Sequence, residues 1–363
     1  MKKHIVILLI IAAALAAFIS CDADGAKTVY HTVTIDYDID WLPLYKTVVK
    51  DGDTIEAPKT PEKEGFVFTK WVNESGEEFS FTTSITSDVK IKASWSYASC
   101  TVILKDKSSG DTIKKISVQY GSNYALPASE ELGYSIASCK DGDGNVITES
   151  IKITQTETVL TIEKGTYVEY SIGDIGPGGG YIAYDAKNPG TSGMDMMHHG
   201  ESSSVENLGW RYIEIAPEDL TSKYVFGYLR SSDTGENTYV NANDDAHRKI
   251  GSGKSNTSAL VEKMGDEAYV SESGSTKAVY AALAATLYNG GGYSDWFLPS
   301  AEEALRVMRN LIDKNLGNIR TDVDYWSSTE EGGALQACSA GGGVGSGPND
   351  RSKELPVRPF RSF

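Results

Sequence analysis

A few clusters in this chain hold residue types that could do chemistry. Gly251-Ser252-Gly253-Lys254-Ser255 matches the second half of a phosphate loop, in which backbone N–H groups and a Lys cradle phosphate oxygens. The full pattern needs Gly at position 248. Arg248 stands there and no apolar strand leads in, so ATP binding is not expected. The run Gly176-Pro177-Gly178-Gly179-Gly180 precedes a strand pattern rather than a helix, which fails the context of a dinucleotide loop. Met194-Asp195-Met196-Met197-His198-His199-Gly200-Glu201 mixes soft and imidazole ligands, yet no spaced ligand set accompanies it. Asn241-Ala242-Asn243-Asp244-Asp245 offers oxygen ligands but reads as a solvated acidic turn. Cys338 has no Cys/His signature with His4, His31, His198, His199 or His247, and is read as a small buried residue. No catalytic residue, metal or cofactor is therefore expected.

Composition narrows the partners. The net charge of −16 leaves no basic stripe to displace phosphate counterions, so nucleic acid is not expected to bind. The same charge opposes electrostatic docking on an anionic membrane. Length alone allows two or three domains. Twenty Tyr and six Trp suit recognition surfaces where they are exposed, and sheet cores where they are not.

The elements that position these residues begin with a targeting segment. Lys2, Lys3 and His4 precede an apolar run, Ile5 to Ala17, too short for a comfortable membrane span. Phe18-Ile19-Ser20-Cys21 follows, then a polar stretch. This resembles a bacterial lipoprotein signal in a loose form, since Phe18 replaces the usual Leu. The resemblance implies a signal peptide over 1–20, lipidation at Cys21, a linker over 21–29 and attachment to the membrane through acyl chains.

Residues 30–97 alternate with period two, the pattern of half-buried strands. Gly52, Pro58, Pro61, Lys63, Gly65, Phe66, Phe68, Trp71 and Trp95 carry the pattern of the InlB B-repeat, also called the Listeria–Bacteroides repeat, which this stretch resembles. The resemblance implies a small β-grasp-like module of a surface protein. A degenerate second copy follows over 98–166. Val102 matches Val33, Gly121 matches Gly52, Gly133-Tyr134 matches Gly65-Phe66, and Ile153 matches Ile85. Cys139 falls at the place of Trp71 and Lys164 at that of Trp95. Cys100 and Cys139 lie in this one copy, and a disulfide between them would offset the lost aromatics by about 3–4 kcal/mol.

From residue 167 the character changes. Asp295-Trp296-Phe297-Leu298-Pro299-Ser300 reads as a buried aromatic strand leading to a helix. Ser300 is its N-cap, Glu303 completes a capping box, and Leu305, Met308 and Ile312 form an apolar stripe widened by Ala304 and Leu311. A second helix is expected over 275–287, with Val279, Leu283 and Leu287 on one face, and a short one opening at Thr257. Gly176–Gly180, Gly209-Trp210-Arg211-Tyr212, Ala216-Pro217, Ile250–Thr257, Asp295–Ser300, Tyr325-Trp326-Ser327-Ser328 and Val357–Arg361 together are similar to the family of the C-terminal domain of the Legionella collagen-like adhesin. That resemblance implies a C-type-lectin-like fold over 167–363: two helices beside a twisted antiparallel sheet, with the termini close together. It implies core roles for Trp296, Trp326 and Phe360 and structural pairing for Arg358 and Arg361. The loop sequences of calcium-dependent sugar binding are absent, so the fold does not by itself imply a lectin.

The Gly/Ala/Ser-rich tract 332–350 stands where some lectin-like proteins carry hypervariable contact residues. Gln336, Ser339, Ser346, Asn349 and Asp350 are the candidate ligand-binding residues. The expected whole is an α+β chain, with two β-grasp-like repeats carrying a C-type-lectin-like domain. It would sit as a lipid-anchored protein on the outer surface of a bacterial cell envelope and bind a host matrix protein or glycan without catalysis. An envelope lipoprotein with no external ligand and an enzyme on a lectin-like fold are the alternatives.

Overall fold

The computed structural model describes residues 28–188, 209–227, 245–330, 336–341 and 345–363, in two compact units, Met1–Ala98 and Ser99–Phe363. Cys21 and the leader, the Met194–Glu201 loop and residues 241–244 lie outside the described residues. Among the described residues no helix is long and apolar enough to cross a membrane.

In the first unit, alternating residues build β1 (Tyr30–Asp36), β2 (Tyr45–Lys50), β3 (Phe66–Val72) and β4 (Val89–Tyr97). They form one mixed sheet in the order β2-β1-β4-β3, in which β1 and β4 run parallel. The period-two pattern puts Val33, Ile35, Ile91, Ala93 and Trp71 on the buried side.

The second unit opens with the same architecture. Strands β5 (Ser99–Asp106), β6 (Thr112–Gln119), β7 (Asn123–Ala125), β8 (Tyr134–Asp141), β9 (Ser150–Lys152) and β10 (Glu157–Tyr167) follow in sequence. The main sheet has the order β6-β5-β10-β8, again with a parallel central pair, β5 and β10, while β7 pairs with β9. Registers correspond: Val102 faces Thr158 as Val33 faces Val89, and Cys139 faces Ile162 as Trp71 faces Ala93. The turns correspond as well. Gly52 N donates to Ile85 O at 2.9 Å, and Gly121 N to Ile153 O at 2.7 Å.

The expected Cys100–Cys139 disulfide is not formed: both are free, buried thiols. Strand β10 separates the two cysteines. Thr101, next to Cys100, faces Glu157, whereas Cys139 faces Ile162. At about 3.3 Å per residue that offset alone is about 16 Å, against a Cα limit of about 7 Å for a disulfide.

Beyond β10 lie β11 (Tyr181–Asp185), β12 (Tyr212–Ile215), the short pair β14 (Tyr269–Val270) and β15 (Thr276–Lys277), and β13 (Lys223–Tyr224), which pairs with β19 (Leu355–Pro356). Strands β16 (Asp324–Glu330), β17 (Gln336–Gly341) and β18 (Gly345–Asp350) form an antiparallel sheet, and β20 (Phe360–Ser362) closes β11-β12-β20. The chain end is thereby tied to the start of this segment, with Arg211 N donating to Phe363 O at 2.7 Å.

This segment and the second repeat share one core. Cys100, Leu104, Tyr134, Cys139 and Leu160 pack in the same cluster as Ile182, Tyr212, Tyr293, Trp296 and Phe363. Gly133 has φ 85°, and a Cβ there would stand 2.3 Å from the Phe363 ring, so only glycine lets the terminal aromatic close onto the repeat. The second copy, which lacks the large aromatics of the first, thus shares its core with the rings of the segment that follows.

Two helices differ from expectation. Residues 276–277 are in β15, and the helix spans Ala281–Leu287. Its buried face is Ala281, Ala282, Ala284 and Ala285, while Leu287 is 64% exposed. Small side chains allow close approach, so the alanines outcompete the expected Val279, Leu283, Leu287 stripe. The helix after Ser300 passes through a π-helical turn, Glu303–Val307, before Met308–Ile312. That turn rotates the stripe: Ala304, Val307, Met308 and Leu311 are buried, while Leu305 and Ile312 are only partly so.

Candidate functional site

The glycine loops that attracted attention in the sequence do bind anions, and the anions are carboxylates of this same chain. Ser300 N donates to Glu303 Oε2 at 2.7 Å and Glu303 N to Ser300 Oγ at 3.3 Å, the expected capping box. Gly251 N reaches over to Glu303 Oε1 at 2.8 Å. A Cβ on Gly253 would stand 2.1 Å from Glu303 Oε2, so glycine is required where the loop wraps the carboxylate. Burial pushes the Glu303 carboxyl up to about 7, with the Ser300, Gly251 and Gly253 N–H groups opposing that rise. The half phosphate loop is thus filled from within. The helix that follows it runs from Gly253 to Met264, longer than the opening at Thr257 suggests.

The Gly176–Gly180 run does the same for Glu214. Gly180 N donates to Glu214 Oε1 at 2.8 Å and Gly178 N to Oε2 at 3.1 Å. Arg361, fully buried, pairs with Glu214 at 3.3 Å and with Asp295 at 2.6 Å and lies over the Tyr293 ring at 3.6 Å. Burial raises the Glu214 carboxyl, and Arg361 works against the shift. Arg358 donates to Asp219 at 2.7 Å and to the Gly317 and Ala216 carbonyls. Both arginines therefore hold the strands of this segment together, as expected of them. Trp296, Trp326 and Phe360 are buried as expected, and Phe297 and Phe360 exchange a pair of backbone hydrogen bonds.

A surface concavity with a charged lining lies where the second repeat meets the following segment. This cleft of about 790 Å³ is lined by Asp106, Lys107, Glu163, Lys164, Glu169 and Arg211, among others. Six of the charges lining it are paired: Lys164 with Asp106 at 2.9 Å, Lys107 with Glu163 at 2.9 Å, and Arg211 in a fork on Glu169 with both bonds at 2.6 Å. Burial acts to raise the Asp106 carboxyl, and the bonds from Ser108 and Lys164 outweigh it, leaving its pKa lowered. Such a cleft can contact polar groups through opposed, pre-oriented charges. The sequence reading missed it because its walls come from strands more than forty residues apart. A usable signal existed for Glu214, the one charge inside the apolar strand Tyr212–Ile215.

The candidate ligand residues are not gathered on one open face. Gln336 and Ser346 lie in β17 and β18, and their side chains are outside the described ones, as is that of Cys338. Ser339 is 2% exposed, because β17 is the central strand of its sheet, and this overturns its place on a docking surface. The Asn349 amide nitrogen donates to Asp324 at 2.6 Å and to Ser339 Oγ at 2.7 Å, while its oxygen accepts from Lys353 at 2.7 Å. Asp350 accepts from Ser352 N and Oγ and shapes the following turn. Among the described residues no cluster of three His, Cys, Asp or Glu side chains is placed to hold a metal ion.

Residues 24–94 match the Listeria-Bacteroides repeat domain. The match covers the first module as far as the middle of β4 and does not extend to the second, which carries the same strand order and register. Among solved structures, a fimbrial protein from Bacteroides ovatus ATCC 8483 overlaps 76% of this chain and 73% of its own, at 10% identity and a TM-score of 0.32. That overlap is below what establishes a common fold.

Proposed function

We propose that this chain is a lipid-anchored protein of the bacterial cell surface that recognises a host matrix protein or glycan without catalysis. Attachment through Cys21 would leave the first module as a spacer and the Ser99–Phe363 unit as the recognition body. The observation that carries the reading is the Listeria-Bacteroides repeat match together with its architectural repetition in the second copy. Tandem modules of this kind project a distal domain away from an anchor. A β-grasp-like origin for both modules and a C-type-lectin-like fold for 167–363 belong to the same proposal. The tie between the chain end and β12 supports the second assignment, because a lectin-like domain brings its termini together. Glu214 and Glu303 are enclosed by backbone N–H groups, a structural use of carboxylates that supports binding over acid–base chemistry.

The test is binding of the Ser99–Phe363 unit, whose shared core requires the second repeat, to an array of glycans and matrix proteins with and without calcium. Saturable binding that weakens on Arg211→Ala, at the polar cleft, is the expected result. Absence of binding across the array would overturn recognition in favour of an envelope protein without external ligand.

A further inference from the structure

The second repeat has a groove where the first is filled with rings. In the first module Phe68, Trp71, Phe79 and Phe81 pack together, with centroids 5.3 Å apart for Phe68–Trp71, 6.4 Å for Trp71–Phe81 and 5.1 Å for Phe79–Phe81. Backbone bonding carries each position into the second copy. Phe79 N donates to Trp71 O at 2.9 Å, and Ile147 N to Cys139 O at 2.9 Å. Val72 bridges Glu78 as Lys140 bridges Val146. The four aromatic positions become Ile136, Cys139, Ile147 and Glu149. Tyr124 packs against the same core but does not fill the space. A groove of about 550 Å³ remains, lined by those four residues with Leu126 and Val146.

The chain's own first copy shows what such a space holds: an indole packed by its neighbours. Glu149 supplies what an indole from outside would need, an acceptor for its N–H at a position where the first copy has Phe81. The chain also carries an indole with no place to go. Trp41, on the turn between β1 and β2, is 80% exposed, with Leu44 at 48% and Tyr45 at 40% beside it. A large apolar group left in water is a cost that association removes.

We propose that the Cys139 groove is an indole-binding site, and that its occupant is Trp41 of a second copy of this chain. Donor and acceptor are different patches, so the contact is head-to-tail and can pass from copy to copy rather than closing a symmetric pair. This does not depend on the recognition function proposed above.

Sedimentation velocity of the full chain, over a concentration series reaching the millimolar range, tests it. Wild type is compared with Trp41→Ala and with Cys139→Trp, which refills the groove from inside; Ile147→Phe replaces the latter should it not fold. Saturation-transfer NMR with N-acetyl-tryptophanamide reads the groove directly. The expected result is a sedimentation coefficient that rises with concentration in wild type and stays flat in both variants. The amide should be taken up by wild type and Trp41→Ala, and not by the refilled variant. A flat wild-type series overturns the proposal, and so does association that survives either variant. Uptake of the amide alongside undiminished association of Trp41→Ala would leave an indole site and remove the second copy as its occupant.

Discussion

Glu303 offers a pH-dependent prediction with a definite sign. Its carboxyl is fully enclosed, and burial raises it from 4.5 to about 7, while the Ser300, Gly251 and Gly253 N–H groups limit the rise. The folded state therefore holds this proton more tightly than the unfolded chain does. Its contribution to stability is complete below pH 4.5 and is lost as pH rises through about 7. The rise from 4.5 to about 7, at about 1.4 kcal/mol per pH unit, amounts to about 3.5 kcal/mol in full, of which about 3 kcal/mol falls between pH 4.5 and 7.5. Glu303→Gln keeps the shape and cannot titrate. It sets an amide N–H2 against backbone donors, a cost that does not vary with pH and so leaves the slope untouched. Urea denaturation of the Ser99–Phe363 unit at closely spaced pH values should show wild type losing about 3 kcal/mol relative to Glu303→Gln between pH 4.5 and 7.5. Parallel curves for the two proteins would refute the assignment of the titration to this carboxyl.

Further outcomes follow from the same packing. Trp296→Ala removes a buried ring whose N–H donates to Gly290 O, and should cost about 3–5 kcal/mol in the same denaturation assay. Arg361→Met strands Glu214 and Asp295 without their cation, and should destabilise by about 3–5 kcal/mol, with the larger loss at high pH, where the Glu214 carboxyl, raised by burial, gives up its proton. Gly133→Val drives a side chain into Phe363, so calorimetry should resolve the single transition of the Ser99–Phe363 unit into two. Alkylation of the denatured chain should label Cys100 and Cys139 equally with and without prior reduction; labelling that requires reductant would mean that β10 does not hold the two thiols apart.

Much of the local structure was legible because it depends on short-range pattern. Period-two alternation places Val33 and Ile35 inward, and Ser300 with Glu303 three residues on marks a helix start. The self-similarity of the repeats put Cys139 at the position of Trp71, and the strand register agrees. Core roles for Trp296, Trp326 and Phe360 were implied instead by the family resemblance of the segment from 167, and all three are buried. Other expectations failed where the outcome depended on what lay across the space. Leu287 carried the right spacing for a buried stripe, but the partner surface approached closely enough to select the alanines instead.

The sequence by itself determined that two copies of one module precede a different, aromatic-rich segment, because repetition and hydrophobic period are properties of the chain read in order. Tertiary structure alone decided three things. Cys100 and Cys139 are kept apart, because strand order inserts β10 between them. The glycine loops close on Glu303 and Glu214, because those carboxylates arrive from elements thirty or more residues distant. The degenerate copy becomes part of the body that follows it, because its core is continuous with Tyr293, Trp296 and Phe363. Each of these is a pairing between distant parts of the chain, which local pattern does not encode.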